Sequence, residues 1–377
     1  MDFSQTEEQQ MLQESVQQFV RKSYDFDTRN SIVSTEQGYS AEFWKLFAEL
    51  GWLTVPFSEA DGGFGDSAVD LTVMMDEFGK ALLVEPYLAT VVLGGGLIAA
   101  LADEKSKGEL LPPVMSGDLQ LALAASEHSG RYNPLSVETT AQVDGDKIIL
   151  NGVKTAVLNG INASYLLVTA RESGEVSSKD GISVFLVPTD SSGVNIQGFT
   201  TIDGRSSSEV QLEAVSVGAS ARLGQPGKAA EALLMVNEKA TVACAAEALG
   251  ALESMLHKTV EYSKTRKQFG TSIGTFQALQ HRMADMFIQC QLARSIVIRA
   301  AMKIDSNEST VEKTKAVSAA KSRIGYAIKA VGQEAIQIHG GIAMTEELDV
   351  GHLFRRVTAL DIMFGDADFH TERYASL

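Results

Sequence analysis

Apolar residues recur every three or four positions from the start of the chain. Met11, Leu12, Val16, Phe19 and Val20 fall on one helical face, behind a Ser4–Glu7 capping-box pattern. The same spacing predicts helices from Ala41 to Gly51 and from Ser67 to Leu83, and more around Leu97 and Glu109, with Gly and Pro marking the breaks. The longest apolar stretch, LATVVLGGGLIAALA at 88–102, is shorter than the ~20 residues a bilayer span needs and holds three consecutive Gly. It predicts a buried helix pair rather than a membrane span.

Between about Leu119 and Leu223 the period shortens to that of strands. KIILNGVKTAVL sets Asn151-Gly152 between β-formers, which predicts a hairpin turn there, and SYLLVTAR, GISVFLVP and EVQLEAVSV add short strands between turn residues. From Gly227 onward helical spacing returns over 228–264, 275–304 and 310–338, joined by linkers short enough to force antiparallel neighbours, and a shorter helix ends the chain. The expected fold is α+β: an all-α domain at 1–118, a small antiparallel β-domain at 119–223 and a helix bundle at 224–377, without internal repeats.

Composition narrows the function. The 377 residues exceed the ~250–300 at which a single core stops growing, and 45% hydrophobic with 21% charged residues is ordinary globular content. A net charge of −16 argues against a nucleic-acid surface, which needs clustered Lys and Arg, so the local basic run Lys264-Arg266-Lys267 stands out. Cys244 and Cys290 make neither a disulfide framework nor a metal site, and a reducing cytoplasm fits them. The opening MDFSQTEEQQ is acidic where a secretory signal is basic. The six histidines show no paired metal-ligand spacing, and neither a nucleophile elbow nor a P-loop is present.

Three strings in the last segment carry the chemistry: YSKTRKQFG (262–270), FQALQHRMADM (276–286) and QIHGGIAMTEE (337–347). In this order, on an α–β–α background of this length, the chain resembles the acyl-CoA dehydrogenase family over nearly its whole length. The resemblance implies that family's fold, with a four-helix C-terminal bundle, bound FAD and an acyl-CoA substrate. Arg266 offers a planar charged fork suited to a pyrophosphate, with Gln268 and Phe269 following as a hydrogen bonder and an apolar face. In the family the matching residues reach the FAD of a neighbouring subunit, and Gln337, Gly340 and Gly341 match a second cofactor segment. Asp368, close by on the terminal helix, completes the candidate cofactor set. In the β-domain, AASEHSGRYNP (124–134) stands where the family has a flavin-lining Thr/Ser-Glu-Pro-Gly-x-Gly-Ser strand, of which Ser126 and Glu127 match while Arg131 replaces a small residue. KTAVLNG (154–160) stands for Lys-x-Trp-Ile-Thr-Asn-Gly, so Ala156 replaces the Trp that shields the flavin and Leu158 a Thr that bonds it.

Removing an α-proton from an acyl thioester needs a carboxylate in a dry site. In most members it is a Glu directly before the Gly of the turn in RRVTALDIMFGDADFH (355–370), and here that residue is Phe364. The alternative position on the first long bundle helix is Ala240, with Glu247 seven residues along, about 10 Å away at 1.5 Å per residue. Asp366 is the nearest carboxylate to the turn. It is either a displaced base assisted by His370, at i, i+4 spacing, or the N-cap of the terminal helix, and it is the best single catalytic candidate in the chain.

The Glu-less turn, Arg131-Tyr132 and the Gly152-x-Lys154-x-x-Val157 strand look like the small subunits of two-component dehydrogenases, such as those acting on pimeloyl-CoA. The resemblance therefore implies an α,β-dehydrogenation that passes electrons to a transfer protein, in a homo-oligomer or in a hetero-oligomer with a related subunit. Two other readings stay open: a non-catalytic subunit that supports a partner's FAD, and a related flavin oxidase using an Asp base.

Overall fold

The structure, a computed structural model, describes residues 4–377. Packing divides the chain into two compact units. One holds the described residues up to Ser31, with Ala68–Leu83 and Thr241–Leu377; the other holds Ile32–Ser67 and Val84–Ala240.

In the first unit, α1 (Glu7–Ser23) lies along α4 (Ala68–Ala81), tied by Gln9 to Asp70 at 2.8 Å and by Gln13 to Glu77 at 2.7 Å. Val16 and Phe19 are buried as the apolar stripe requires, whereas Met11 is exposed. The capping box is Thr6 with Gln9, not Ser4 with Glu7. Starting the helix at Glu7 places Glu7 and Glu8 in the first turn, where negative charge meets the exposed N–H groups. Four long helices make the bundle: α7 (Ala230–Thr265), which begins in the second unit, α8 (Gln277–Ile304), α9 (Thr310–His339) and α10 (Asp349–Ile362). The short α11 (Ala367–Ser376) packs on α9. Between α7 and α8 the expected plain linker contains a two-stranded hairpin, Lys267–Gln268 with Thr271–Ser272.

The second unit holds the end of α2 (Phe26–Val33) from Ile32 on, α3 (Ala41–Glu49), α5 (Gly96–Leu101), α6 (Glu104–Met115) and a sheet. The stretch expected to be a helix pair is a π-helical turn, Leu88–Gly95, running directly into α5, every residue of that turn buried. The sheet has eight strands: β1 (Leu121–Ala124), β2 (Thr140–Asp144), β3 (Lys147–Leu158), β4 (Tyr165–Arg171), β5 (Ile182–Pro188), β6 (Val194–Thr200), β7 (Ser206–Gly218) and β8 (Arg222–Leu223). Their order is β6-β7-β3-β2-β4-β5-β8, antiparallel except that β4 pairs in parallel with β1 and, at one residue, with β2. β4 and β5 read as unbroken apolar runs because almost every side chain on them is buried.

The hairpin expected at Asn151-Gly152 is instead a bulge within β3. The turn falls at Gly145-Asp146, closed by the Asp144–Lys147 pair, while the register against β7 slips between Leu150 and Gly152. Gly152 takes φ +157°, and the Asn151 side chain accepts from the Ala214 N–H at 2.7 Å. An Asn-Gly step supplies the unusual φ a bulge needs as readily as that of a turn. Among the described residues, no helix is long and apolar enough to cross a membrane.

Candidate functional site

The cofactor candidates of the first unit sit where two helices end together. Tyr262, one turn before the end of α7, stacks on His339 at the end of α9 with ring centroids 4.4 Å apart, and its hydroxyl donates to the His339 carbonyl at 3.3 Å. Burial lowers the His339 pKa, and the neutral ring donates from Nδ1 to the Ala335 carbonyl at 2.8 Å. From this junction project the exposed hairpin with Arg266, Gln268 and Phe269 on one side, and Gln337, Gly340 and Gly341 on the other. Phe269 forms the hairpin tip at φ +55° and is 93% exposed.

Gln268 donates to the Lys267 carbonyl at 2.8 Å, Phe269 meets Phe276 edge-on and Gly340 caps α9 at φ +70°, whereas Arg266, Gln337 and Gly341 have no such task and fit an anionic cofactor. Neither Arg266 nor Gln337 has a side-chain partner among the described residues. Gly341 has no positive φ, and a Cβ there would meet nothing within 4 Å, so neither backbone conformation nor internal packing calls for glycine. What the missing Cβ leaves room for lies outside this chain's own atoms.

The turn between α10 and α11 is held from three directions. Lys321, fully buried on α9, donates from Nζ to the carbonyls of Asp361 and Gly365, each at 2.7 Å. His370 Nε2 lies 3.0 Å from the Phe364 carbonyl, so that nitrogen carries the proton. Burial, helped by the Lys321 charge, pushes the His370 pKa down to about 3 and keeps the ring neutral. Asp366 is the N-cap of α11, accepting from the Phe369 N–H at 2.9 Å. Phe364 itself sits half-buried at φ +60°, and Asp368 is exposed in the first turn of α11. Lys321 was findable in the sequence: it interrupts an apolar stripe formed by Val317, Ile324 and Ile328, where a lysine is out of place unless it holds something.

Neither of the other carboxylate positions is available. Ala240 is buried and carries no ionisable group, and Glu247 is locked to Arg356 of α10 by two 2.8 Å bonds, both side chains almost wholly buried.

In the second unit, the segment after β1 is fastened to β3, since the Ser126 carbonyl accepts from the Thr155 N–H at 2.9 Å. Ser126 presents an exposed side chain, and Ala156 stands beside it on a second bulge of β3 at φ +51°. Below them the Glu127 carboxylate is buried with Lys154 at 2.6 Å. Among the described residues no group of three or more His, Cys, Asp or Glu is placed to hold a metal ion.

Models for the acyl-CoA dehydrogenase N-terminal, middle and C-terminal domains match residues 6–118, 122–215 and 236–376. A probable acyl-CoA dehydrogenase, YngJ, of Bacillus subtilis is 31% identical over 373 residues, covering 98% of this chain and 97% of that protein. Among solved structures, the ChsE4–ChsE5 complex from Mycobacterium tuberculosis superposes with a TM-score of 0.90 at 26% identity, over 100% of this chain and 98% of the matched one. The FAD complex of PigA superposes with a TM-score of 0.91, also at 26% identity and with the same coverage.

Proposed function

Because the chain belongs to the acyl-CoA dehydrogenase family, we propose that it is the FAD-holding subunit of a dehydrogenase that oxidises an acyl-CoA at Cα and Cβ only when a related subunit supplies the base. One observation carries this reading: the turn that presents residue 364 is clamped by Lys321 and His370, yet it presents a phenyl ring that cannot accept a proton. Two carboxylates considered for the role have other tasks, Glu247 in an ion pair and Asp366 in a helix cap. The assembly of two different chains in the ChsE4–ChsE5 complex is a precedent within the fold.

FAD, when bound, would supply the acceptor for the hydride leaving Cβ and the route by which the electron pair reaches an electron-transfer protein. This chain's residues bind and enclose it. Arg266 and Gln268 would hold the pyrophosphate of a neighbouring subunit's FAD, with Gln337, Gly340 and Gly341 leaving room for it at the end of α9, and Ser126 and Ala156 of the second unit would line a flavin ring. Phe364 excludes water from the thioester without taking its proton, which passes to a carboxylate of the partner.

The test is purification of the chain alone and with a co-expressed related subunit, followed by anaerobic titration with acyl-CoA thioesters. A yellow preparation whose flavin bleaches only with the partner present supports the reading. Bleaching by the chain alone overturns the need for a partner, peroxide formation in air points to the oxidase reading, and a preparation that takes up no FAD even with the partner overturns the cofactor assignment.

A further inference from the structure

The second unit buries a lysine with no solvent contact at all. Lys154 Nζ donates to Glu127 Oε1 at 2.6 Å and to Thr169 Oγ1 at 2.8 Å. Glu127 in turn accepts from the Thr139 hydroxyl at 2.7 Å, from the Thr139 N–H at 3.0 Å and from the Glu138 N–H at 2.6 Å. Removing two charges from water is costly, and apolar residues of equal volume would hold a β-core at least as well. Stability alone therefore does not account for an ion pair here.

Its location does. Glu127 directly follows Ser126, and Lys154 directly precedes Thr155, whose N–H bonds the Ser126 carbonyl, and the bulge that lifts Ala156. The pair grips the two segments whose exposed residues line the ring in the reading above. Apolar packing tolerates small shifts, whereas a carboxylate with four donors fixes both strands in one register and height. Burial pushes the Lys154 pKa to about 8, while Lys154, Thr139 and the Glu138 N–H outweigh burial and hold the Glu127 carboxyl below its ordinary value.

The geometry points to Glu127 and Lys154 as positioning residues for the flavin ring, setting the height of Ser126 and Ala156 against it. The inference rests on the cofactor reading given above. A role confined to fold stability predicts lost melting temperature only; a positioning role predicts a changed cofactor in the protein that still folds.

The experiment uses the full chain with its co-expressed partner and compares Lys154→Met and Glu127→Gln with the parent. It measures the FAD dissociation constant, the position of the visible flavin bands and the flavin reduction potential. Expected are weakening of FAD binding by about tenfold or more, shifted bands and a shifted potential in both variants. Thr169→Val, which removes one of the two acceptors of Lys154, should shift the same three quantities less and keeps the test open if Lys154→Met does not fold. Variants that lose stability but, once folded, keep the parent's affinity, bands and potential overturn the inference. A parent that takes up no FAD fails the cofactor reading instead, and the two failures are thereby told apart.

Discussion

Asp366 separates a helix cap from a catalytic base, and two substitutions divide the readings. Its backbone is extended, at φ −80° and ψ 178°, and one carboxylate oxygen accepts from the Phe369 N–H at 2.9 Å. Asn presents an acceptor in the same place and caps helices about as well as Asp, so Asp366→Asn should cost at most about 0.5 kcal/mol, mainly the loss of charge at the helix N-terminus. Asp366→Ala leaves that N–H without its cap and should cost about 1 kcal/mol, a fall of about 1–3 °C in melting temperature. On the capping account both variants, assembled with the partner subunit, reduce flavin with acyl-CoA at close to the parent rate, and only the Ala variant melts earlier. A general base contributes about 10²–10⁴-fold, so on the other account both variants lose at least two orders of magnitude in stopped-flow flavin reduction. An Asp366→Asn protein with the parent's melting temperature and FAD content but a hundredfold slower reduction would refute the capping account.

Other expectations follow from the same geometry. Phe364→Glu puts a carboxylate on a turn already held in place, and should give the chain without partner a flavin bleaching by acyl-CoA at least about 10²-fold faster than the parent's; equal rates would show that residue 364 does not face the substrate. Arg356→Met should destabilise by about 3–5 kcal/mol in denaturant titration because it strands the buried Glu247 charge. Glu247→Gln with intact stability but no flavin reduction in the complex would instead make Glu247 the base. His370 adds a pH dependence. Its folded pKa of about 3 lies below the unfolded value, so the unfolded chain binds more protons between about pH 3 and 6.5 and stability falls as pH falls through that window. Across it the parent should lose about 3–5 kcal/mol more than His370→Phe does.

The sequence made legible what is written in contiguous strings. The switch of period near Leu119 and again near Gly227 marked the helical, β and helical segments, and the cofactor candidates lie in short runs around Arg266 and Gly340 that the fold exposes together. Features set by competition between near-equal local choices were not legible. Ser4–Glu7 and Thr6–Gln9 both spell a capping box, and Asn151-Gly152 suits a bulge as well as a turn, so tertiary packing decided each. Long-range contacts were hidden altogether. Lys321 meets the Gly365 carbonyl across 44 positions and Lys154 meets Glu127 across 27.

The turn at Phe364 shows why scaffold and chemistry must be read apart. A residue with a Cβ held in the left-handed region costs about 1–2 kcal/mol, and Phe offers no side-chain hydrogen bond to offset it. Two bonds from a buried ammonium, at about 1.5–3 kcal/mol each when the donor is charged, together with the His370 contact, exceed that strain. All of those bonds go to backbone carbonyls. They therefore set the direction of side chain 364 without regard to what it is. The turn can present a carboxylate or a phenyl ring with equal fidelity, and on the proposed function that one side chain decides which chain removes the α-proton.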